Sequence, residues 1–245
     1  MGHKYAATDF HGCWEPFKEL YDSLEEDDTL FFLGDAIDRG PDGVKIMDTL
    51  LNDKRVIYLK GNHEEFLEKS MPMLMEEEDI SGLGTPRLWT EYNGGNVTLD
   101  ALNLLPREKV KWYVQEIKKM PTYVKYKNKD GITIHLCHAG FDPKEPEDMR
   151  DYLWDRDHIK SLNAFPQDER LIHGHTPIQI LSDFANVREV DDIIQKSLDY
   201  KDTALWYCNA TKLDIDLCTF VSNKVARVDL DNFDIRYFGA GRQQQ

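Results

Sequence analysis

A chain of 245 residues, 41% hydrophobic and 31% charged, with aromatics spread along its length, can bury a core of its own and is too apolar to be a disordered segment. Its formal net charge of -15 argues against nucleic acid and anionic membranes as partners, because a negative surface repels both, so any phosphate it binds needs a local positive site. No run approaches the ~20 apolar residues of a membrane span, no apolar signal region precedes the first strand-like run, and Cys13, Cys137, Cys208 and Cys218 match no CxxC spacing; a cytoplasmic protein with reduced, mostly buried thiols is expected.

Along the first half, short apolar runs alternate with longer amphipathic ones: Tyr5–Thr8, Trp14–Leu24, Leu30–Leu33, Val44–Leu51, Val56–Leu59 and Glu64–Met75. That pattern predicts strand and helix in turn, as consecutive βαβ units on a parallel sheet. A helix is expected at Arg107–Met120, then a hairpin of Tyr123–Tyr126 and Ile132–Leu136 joined by the polar turn Asn128–Gly131. The second half is richer in β-type runs: Leu205–Asn209, Leu213–Phe220, Lys224–Leu230 and Asp234–Phe238, with a turn at Ser222-Asn223. These elements predict an α/β fold, a layered sandwich of two mixed β-sheets flanked by helices, in one domain over residues 1–245. The acid runs Glu25-Glu26-Asp27-Asp28 and Glu76-Glu77-Glu78-Asp79 are read as solvated surface, since consecutive acids seldom converge on one point.

Chemistry is expected where strands end, because the loops leaving the carboxyl edge of an open α/β sheet gather at one rim. Five segments stand there: Asp9-Phe10-His11-Gly12, Gly34-Asp35-Ala36-Ile37-Asp38-Arg39-Gly40, Gly61-Asn62-His63-Glu64, His138-Ala139-Gly140 and Gly174-His175-Thr176-Pro177. Any one alone is weak; Asp9 and His11 by themselves suggest only a turn with a satisfied histidine. Together they offer carboxylate oxygens and imidazole nitrogens, which suit Mn, Fe or Zn, beside glycines that let backbone crowd a compact site.

In this motif string the chain resembles the phosphoprotein phosphatases of the binuclear metallophosphoesterase superfamily, specifically the short bacterial and phage-type serine/threonine phosphatases. The family's GDxHG, GDxxDRG, GNHE, HAG and GHTP appear with one departure, Thr8 in place of the first glycine, which is expected to be accommodated with a slight shift of Asp9. Trp89, Asn93-Gly94-Gly95 and Leu153-Trp154-Asp155-Arg156 also look like family segments, and the resemblance runs from about Tyr5 to Pro177. It implies that Asp9, His11 and Asp35 hold one divalent metal and Asp35, Asn62, His138 and His175 a second, with Asp35 shared. Mn is the first choice for both ions, with Fe or Zn as alternatives. A hydroxide bridging the two metals would then be the nucleophile, with no serine or cysteine needed. Arg39 and Arg156 would clamp the phosphoryl oxygens. His63 would protonate the leaving oxygen, oriented and kept protonated by Asp38; the competing possibility is that His63 is a further metal ligand and Asp38 only a helix cap. Glu64 is expected to support the ligands from behind, and His3, His135, His158 and His173 to be structural or surface residues.

The implied activity is hydrolysis of phosphomonoesters, with a phosphoprotein or phosphopeptide as substrate. A dinucleoside tetraphosphatase or small-molecule phosphoesterase is the main alternative, although the former family typically departs from Asp-Arg-Gly in its second motif and ends its third in aspartate, where this chain has Asp38-Arg39-Gly40 and Glu64. A non-catalytic binding protein on the same fold should have lost ligands or the acid, and here the set is complete. The role of Leu181–Asp202 is not legible.

Overall fold

β-branched and aromatic runs alternate along their strands, so each strand must offer an apolar side chain to both of its faces, and the fold answers with covers on both. The computed structural model describes residues 2–75, 84–144, 151–161, 163–181 and 203–239. Its strands are β1 (Lys4–Ala7), β2 (Thr29–Phe32), β3 (Val56–Tyr58), β4 (Tyr123–Lys127), β5 (Thr133–Cys137), β6 (Glu169–His173), β7 (Leu205–Tyr207), β8 (Lys212–Asp214), β9 (Val225–Asp229) and β10 (Ile235–Phe238). They form two mixed five-stranded sheets, ordered β10-β9-β1-β2-β3 and β4-β5-β6-β8-β7. β1, β2 and β3 run parallel, as do β5, β6 and β8, so two sets of carboxyl ends are available to build a site.

Between the sheets lies one apolar layer, with Ala6, Phe31, Leu33 and Val228 from the first facing Ile134, Leu136, Ile172 and Leu213 from the second. The alternate residues Tyr5, Ala7, Leu30 and Phe32 point the other way. They pack under the helices α1 (Trp14–Asp22), α2 (Gly43–Leu51), α3 (Asn62–Met75) and, further along, α5 (Gly95–Asn103) and α6 (Arg107–Lys119). Between α3 and α5 stand α4 (Gly84–Arg87) and a π turn, Leu88–Tyr92. The short helices α7 (Asp151–Trp154) and α8 (Asp157–Ser161) follow β5. Burial of a Leu, Ile or Phe side chain contributes roughly 1.5–3 kcal/mol, so these two layers supply most of what holds the loops in place. Among the described residues no helix is long and apolar enough to cross a membrane.

The expected helices and the β4–β5 hairpin are present within a residue or two of their expected ends, and β6, which carries the fifth motif, completes the second sheet. Leu213–Phe220 is not one strand. β8 stops at Asp214, whose Oδ1 accepts the Asp216 amide at 3.0 Å, and Asp216 Oδ1 accepts the Cys218 amide at 2.8 Å. These successive side-chain turns take the amides away from a sheet ladder, and Thr219–Ser222 winds into a helical turn. None of the four cysteines is in a disulfide, and only Cys137 is buried; Cys13, Cys208 and Cys218 are half-buried. Of the first acid run, Asp28 is buried, accepting the His3 and Glu25 amides, while its three neighbours are exposed. The second acid run, and Leu181–Asp202 beyond its first residue, lie outside the described residues.

Candidate metal centre and active site

β1, β2 and β3 deliver the first three motifs to one rim, and β5 and β6 deliver the fourth and fifth to the same place. His175 N donates to Asp9 Oδ2 at 3.2 Å across 166 residues, and Gly174 N to the His138 carbonyl at 2.8 Å. Six of the residues gathered here, Asp9, His11, Asp35, Asp38, Arg39 and His175, carry positive φ without being glycine. At roughly 1–2 kcal/mol each, that is strain a fold retains where side chains must converge. Glycines make the convergence possible: a Cβ on Gly174 would stand 2.1 Å from Asp9 Oδ2. The same gap admits Thr8, whose hydroxyl donates to Asp9 Oδ2 at 2.7 Å, so the departure from the family's glycine anchors this carboxylate.

Two clusters of buried donors share Asp35. In one, ligand atoms of His11, Asp35 and His63 lie within 4.8 Å of one another, and in the other those of Asp35, His138 and His175 do. Asp9 joins the first, its Oδ1 3.7 Å from His11 Nε2. Asn62, in the first turn of α3, joins the second: its Oδ1 is 2.8 Å from His138 Nε2 and 2.9 Å from His175 Nδ1. All these residues are nearly solvent-free.

The hydrogen bonds fix the imidazole tautomers. A carbonyl can only accept, so His11 Nδ1–H donates to Ile37 O and His138 Nδ1–H to Leu33 O, both at 3.0 Å. Each Nε2 lone pair is thereby turned inward: that of His138 toward Asn62 Oδ1 and, at 3.3 Å, Asp35 Oδ2; that of His11 toward Asp35 Oδ2 at 3.6 Å. Acceptors facing acceptors in a buried space require a positive charge among them, either a proton or a cation. Burial opposes a proton on His138, but the Asp35 carboxylate outweighs it and pulls the imidazole up to about 9. Burial would raise Asp35 too, and the imidazoles of His138, His63 and His11 overcome it and hold the carboxyl well below its ordinary range. By contrast burial, followed by Arg39, pushes His11 well down, and burial, followed by His138, does the same to His175. His175 Nε2 is among the few buried polar atoms of the described residues without a hydrogen-bond partner. A donor set of this kind, starved of positive charge, fits divalent cations.

His63 belongs to the first cluster through Nε2, which stands 3.7 Å from Asp35 Oδ2, while its Nδ1 donates to Asp38 Oδ2 at 2.6 Å. Asp38 is fully buried and caps no helix; Asp42 occupies the position before α2. Its carboxylate also accepts Trp89 Nε1–H at 2.7 Å and the Thr98 hydroxyl at 2.5 Å. Arg39, half-exposed, sets Nη2 3.4 Å from His63 Nε2, and its own amide donates to Gly94 O. Arg156 is half-buried within the field of Asp216, Asp35, Arg39 and Asp9. All ten candidate residues therefore reach one neighbourhood.

Three features were not read from the sequence. Trp89 and Thr98 hold Asp38 across 51 and 60 residues, a pairing with no local signal. Asp216, buried at 3% exposure, adds a further carboxylate: burial raises it to about 6, and after burial it is the main reason that Asp9 is raised. Two acids alternating with apolar residues in a β-type run, Leu213-Asp214-Ile215-Asp216-Leu217, were the available sign. Glu64 was placed behind the ligands without its partners: its carboxylate accepts the amides of Asp35, Ala36 and Gly61 and the Tyr58 hydroxyl, all at 2.8–2.9 Å.

The chain is 26% identical over 211 residues to serine/threonine-protein phosphatase 1 of Salmonella typhimurium, covering 77% of this chain and 85% of that protein. A symmetrical bis(5'-nucleosyl)-tetraphosphatase of Legionella pneumophila is 42% identical over 65 residues, covering 24% of this chain and 23% of that one. In fold, the chain is similar to a crystal structure described as a candidate diadenosine tetraphosphatase (TM-score 0.61, 15% identity, 99% of this chain and 95% of that one). It is also similar to a Saccharomyces cerevisiae serine/threonine phosphatase structure (TM-score 0.53, 14% identity, 100% and 82%). The model of the calcineurin-like phosphoesterases matches residues 5–179, the span that holds all five motifs, and the chain accordingly belongs to that family as a metallophosphoesterase.

Proposed function

We propose that the chain hydrolyses phosphomonoesters directly, with phosphoserine and phosphothreonine in protein as substrate class. The observation that carries this reading is the His63–Asp38 pair at 2.6 Å, in which Nδ1 is held by Asp38 and Nε2 faces Asp35 in the first cluster. An imidazole so placed can give a proton to an oxygen leaving at the cluster, which is what a departing serine or threonine alkoxide requires.

In this proposal Asp9, His11 and Asp35 would hold one divalent cation and Asp35, Asn62, His138 and His175 a second, Mn being our first choice. Such a pair, when bound, supplies Lewis acidity and makes water a nucleophile near neutral pH. The chain's own groups do the rest. Asp38 fixes the His63 ring through Nδ1, and the Trp89 and Thr98 donors keep Asp38 from turning away. Arg39 and Arg156 bind phosphoryl oxygens, whose geometry the paired N–H donors of a guanidinium match. With cations matching the carboxylates of Asp9 and Asp35, a phosphate dianion would meet positive charge from those cations and from the two guanidiniums.

Preference for protein over dinucleotide rests on the Salmonella phosphatase match, which spans most of both chains, and on Asp38-Arg39-Gly40 and Glu64. The tetraphosphatase matches favour the second reading through higher local identity, but the Legionella match spans less than a quarter of its relative. To test the proposal, kcat is measured for His63→Asn on a phosphothreonine peptide and on p-nitrophenyl phosphate, with metal content determined. The alkoxide needs the acid and nitrophenolate does not, so the loss should be ~10²–10⁴-fold on the peptide and much smaller on the aryl ester. Equal losses with metals retained would remove His63 as the acid. A loss accompanied by missing metal would make it a ligand.

A further inference from the structure

Behind the second donor cluster, four buried side chains that bear no assigned role connect the fourth and fifth motifs. His158, on α8, is fully buried and its Nε2 lies 2.9 Å from Ala139 O. The carbonyl can only accept, so Nε2 carries hydrogen and Nδ1 presents a lone pair when the ring is neutral. His173, the last residue of β6, lies with Nδ1 3.1 Å from Gly174 O, which by the same logic leaves its Nε2 lone pair free. Both lone pairs converge on the Tyr207 hydroxyl of β7, at 2.7 Å from His173 Nε2 and 3.5 Å from His158 Nδ1. One phenolic hydrogen cannot serve two acceptors equally, and the distances show that it goes to His173. Lys212, fully buried on β8, donates Nζ to the His158 carbonyl at 2.9 Å and ties α8 to the sheet. The contact with the fourth motif is also steric: Gly140 has φ +103°, and a Cβ there would stand 2.5 Å from His158 Nε2.

Ala139 follows His138 and Gly174 precedes His175, so the chain Ala139–His158–Tyr207–His173–Gly174 spans the two loops that carry the imidazoles of the second cluster. We infer that His158, Tyr207 and His173 form a neutral imidazole–phenol–imidazole clamp that positions His138 and His175 relative to each other, and so sets the affinity of the second cation site without touching the cation. The inference rests on the ligand assignment proposed above. The clamp residues are positioning residues, and groups that orient a metal's ligands are typically worth ~10–100-fold in metal affinity.

The test titrates metal-free protein with Mn, following unbound Mn by its EPR signal, and records the melting temperature of each metal-free protein. Tyr207→Phe keeps the ring and removes the hydroxyl. It should weaken one of the two sites about 10-fold and leave the other within about 2-fold, with kcat regained at excess Mn. His158→Leu should weaken the same site, and His158→Gln, which can still donate to Ala139 O, should recover most of the loss. A purely structural role would lower the melting temperature with both affinities unchanged, and that result overturns the clamp; so does equal weakening of both sites. If wild-type protein holds no second ion, the ligand assignment fails and the clamp with it, a failure visible before any variant is made.

Discussion

Asp35 belongs to both donor clusters, sits at positive φ (63°), and accepts the His63 amide on Oδ1 while Oδ2 faces three imidazoles. No other carboxylate here has that reach, so Asp35→Asn should be the most damaging single change to metal content, emptying both sites. Metal analysis that finds one site empty and the other full would make Asp35 a terminal ligand. Asp38 offers a second residue-level expectation. Trp89→Phe removes the indole donor from the oxygen that also receives His63, and it should lower kcat on a phosphothreonine peptide several-fold while sparing p-nitrophenyl phosphate, since the acid survives but is poorly held. At this scale the sequence was most informative, because a candidate donor is local chemistry: Asp9, His11 and Asn62 sit in short motifs at strand ends, and the fold gathers those motifs at one rim. What it withheld, the Trp89 and Thr98 donors and Asp216, depends on which distant segments fold back, and no periodicity records that.

Elements position these side chains through backbone, and α3 illustrates how. Its first turn begins at Asn62 rather than Glu64, which puts a candidate ligand, the candidate acid and the carboxylate of Glu64 on successive residues at a helix start. Glu64 Oε2 accepts the Asp35 and Gly61 amides, and Oε1 accepts the Ala36 amide and the Tyr58 hydroxyl, so α3, β3 and the loop after β2 share one anion. In Glu64→Gln, whichever oxygen becomes an amide nitrogen faces two donors. The change should cost about 2–4 kcal/mol in urea unfolding of the metal-free protein, from buried donors left unmatched. A loss under about 0.5 kcal/mol would mean that the helix start does not depend on this carboxylate. Helices and the parallel strands were legible because periodicity and strand-end motifs agree. β8 was overextended because an apolar run with β-branched residues reads as strand, whereas the Asp214 and Asp216 side chains claim the amides that would have continued it.

For the whole molecule, the site is a buried reservoir of charge that protons and cations contest. His138, raised from 6.5 to about 9, is the proton's main foothold. A folded-state pKa above the unfolded one contributes stability that is full below about pH 6.5 and lost as pH rises through 9, on the order of 3 kcal/mol. Metal-free protein should therefore lose stability between pH 6.5 and 9.5, and His138→Gln should flatten that slope. The same proton must leave for a cation to enter, so apparent metal affinity should rise with pH up to about 9. Cation binding should in turn raise the melting temperature, because only the folded chain gathers the donors. The two-sheet architecture was legible from the spacing of β-type runs, and the family from the order of its motifs. Substrate class is a property of the assembled surface, and the central claim is put at risk by one comparison: kcat/KM of the Mn-loaded protein for a phosphothreonine peptide against diadenosine tetraphosphate. The peptide should turn over faster by at least about 10-fold. Preference for the dinucleotide by a similar margin would contradict that claim and transfer the chain to the tetraphosphatase reading.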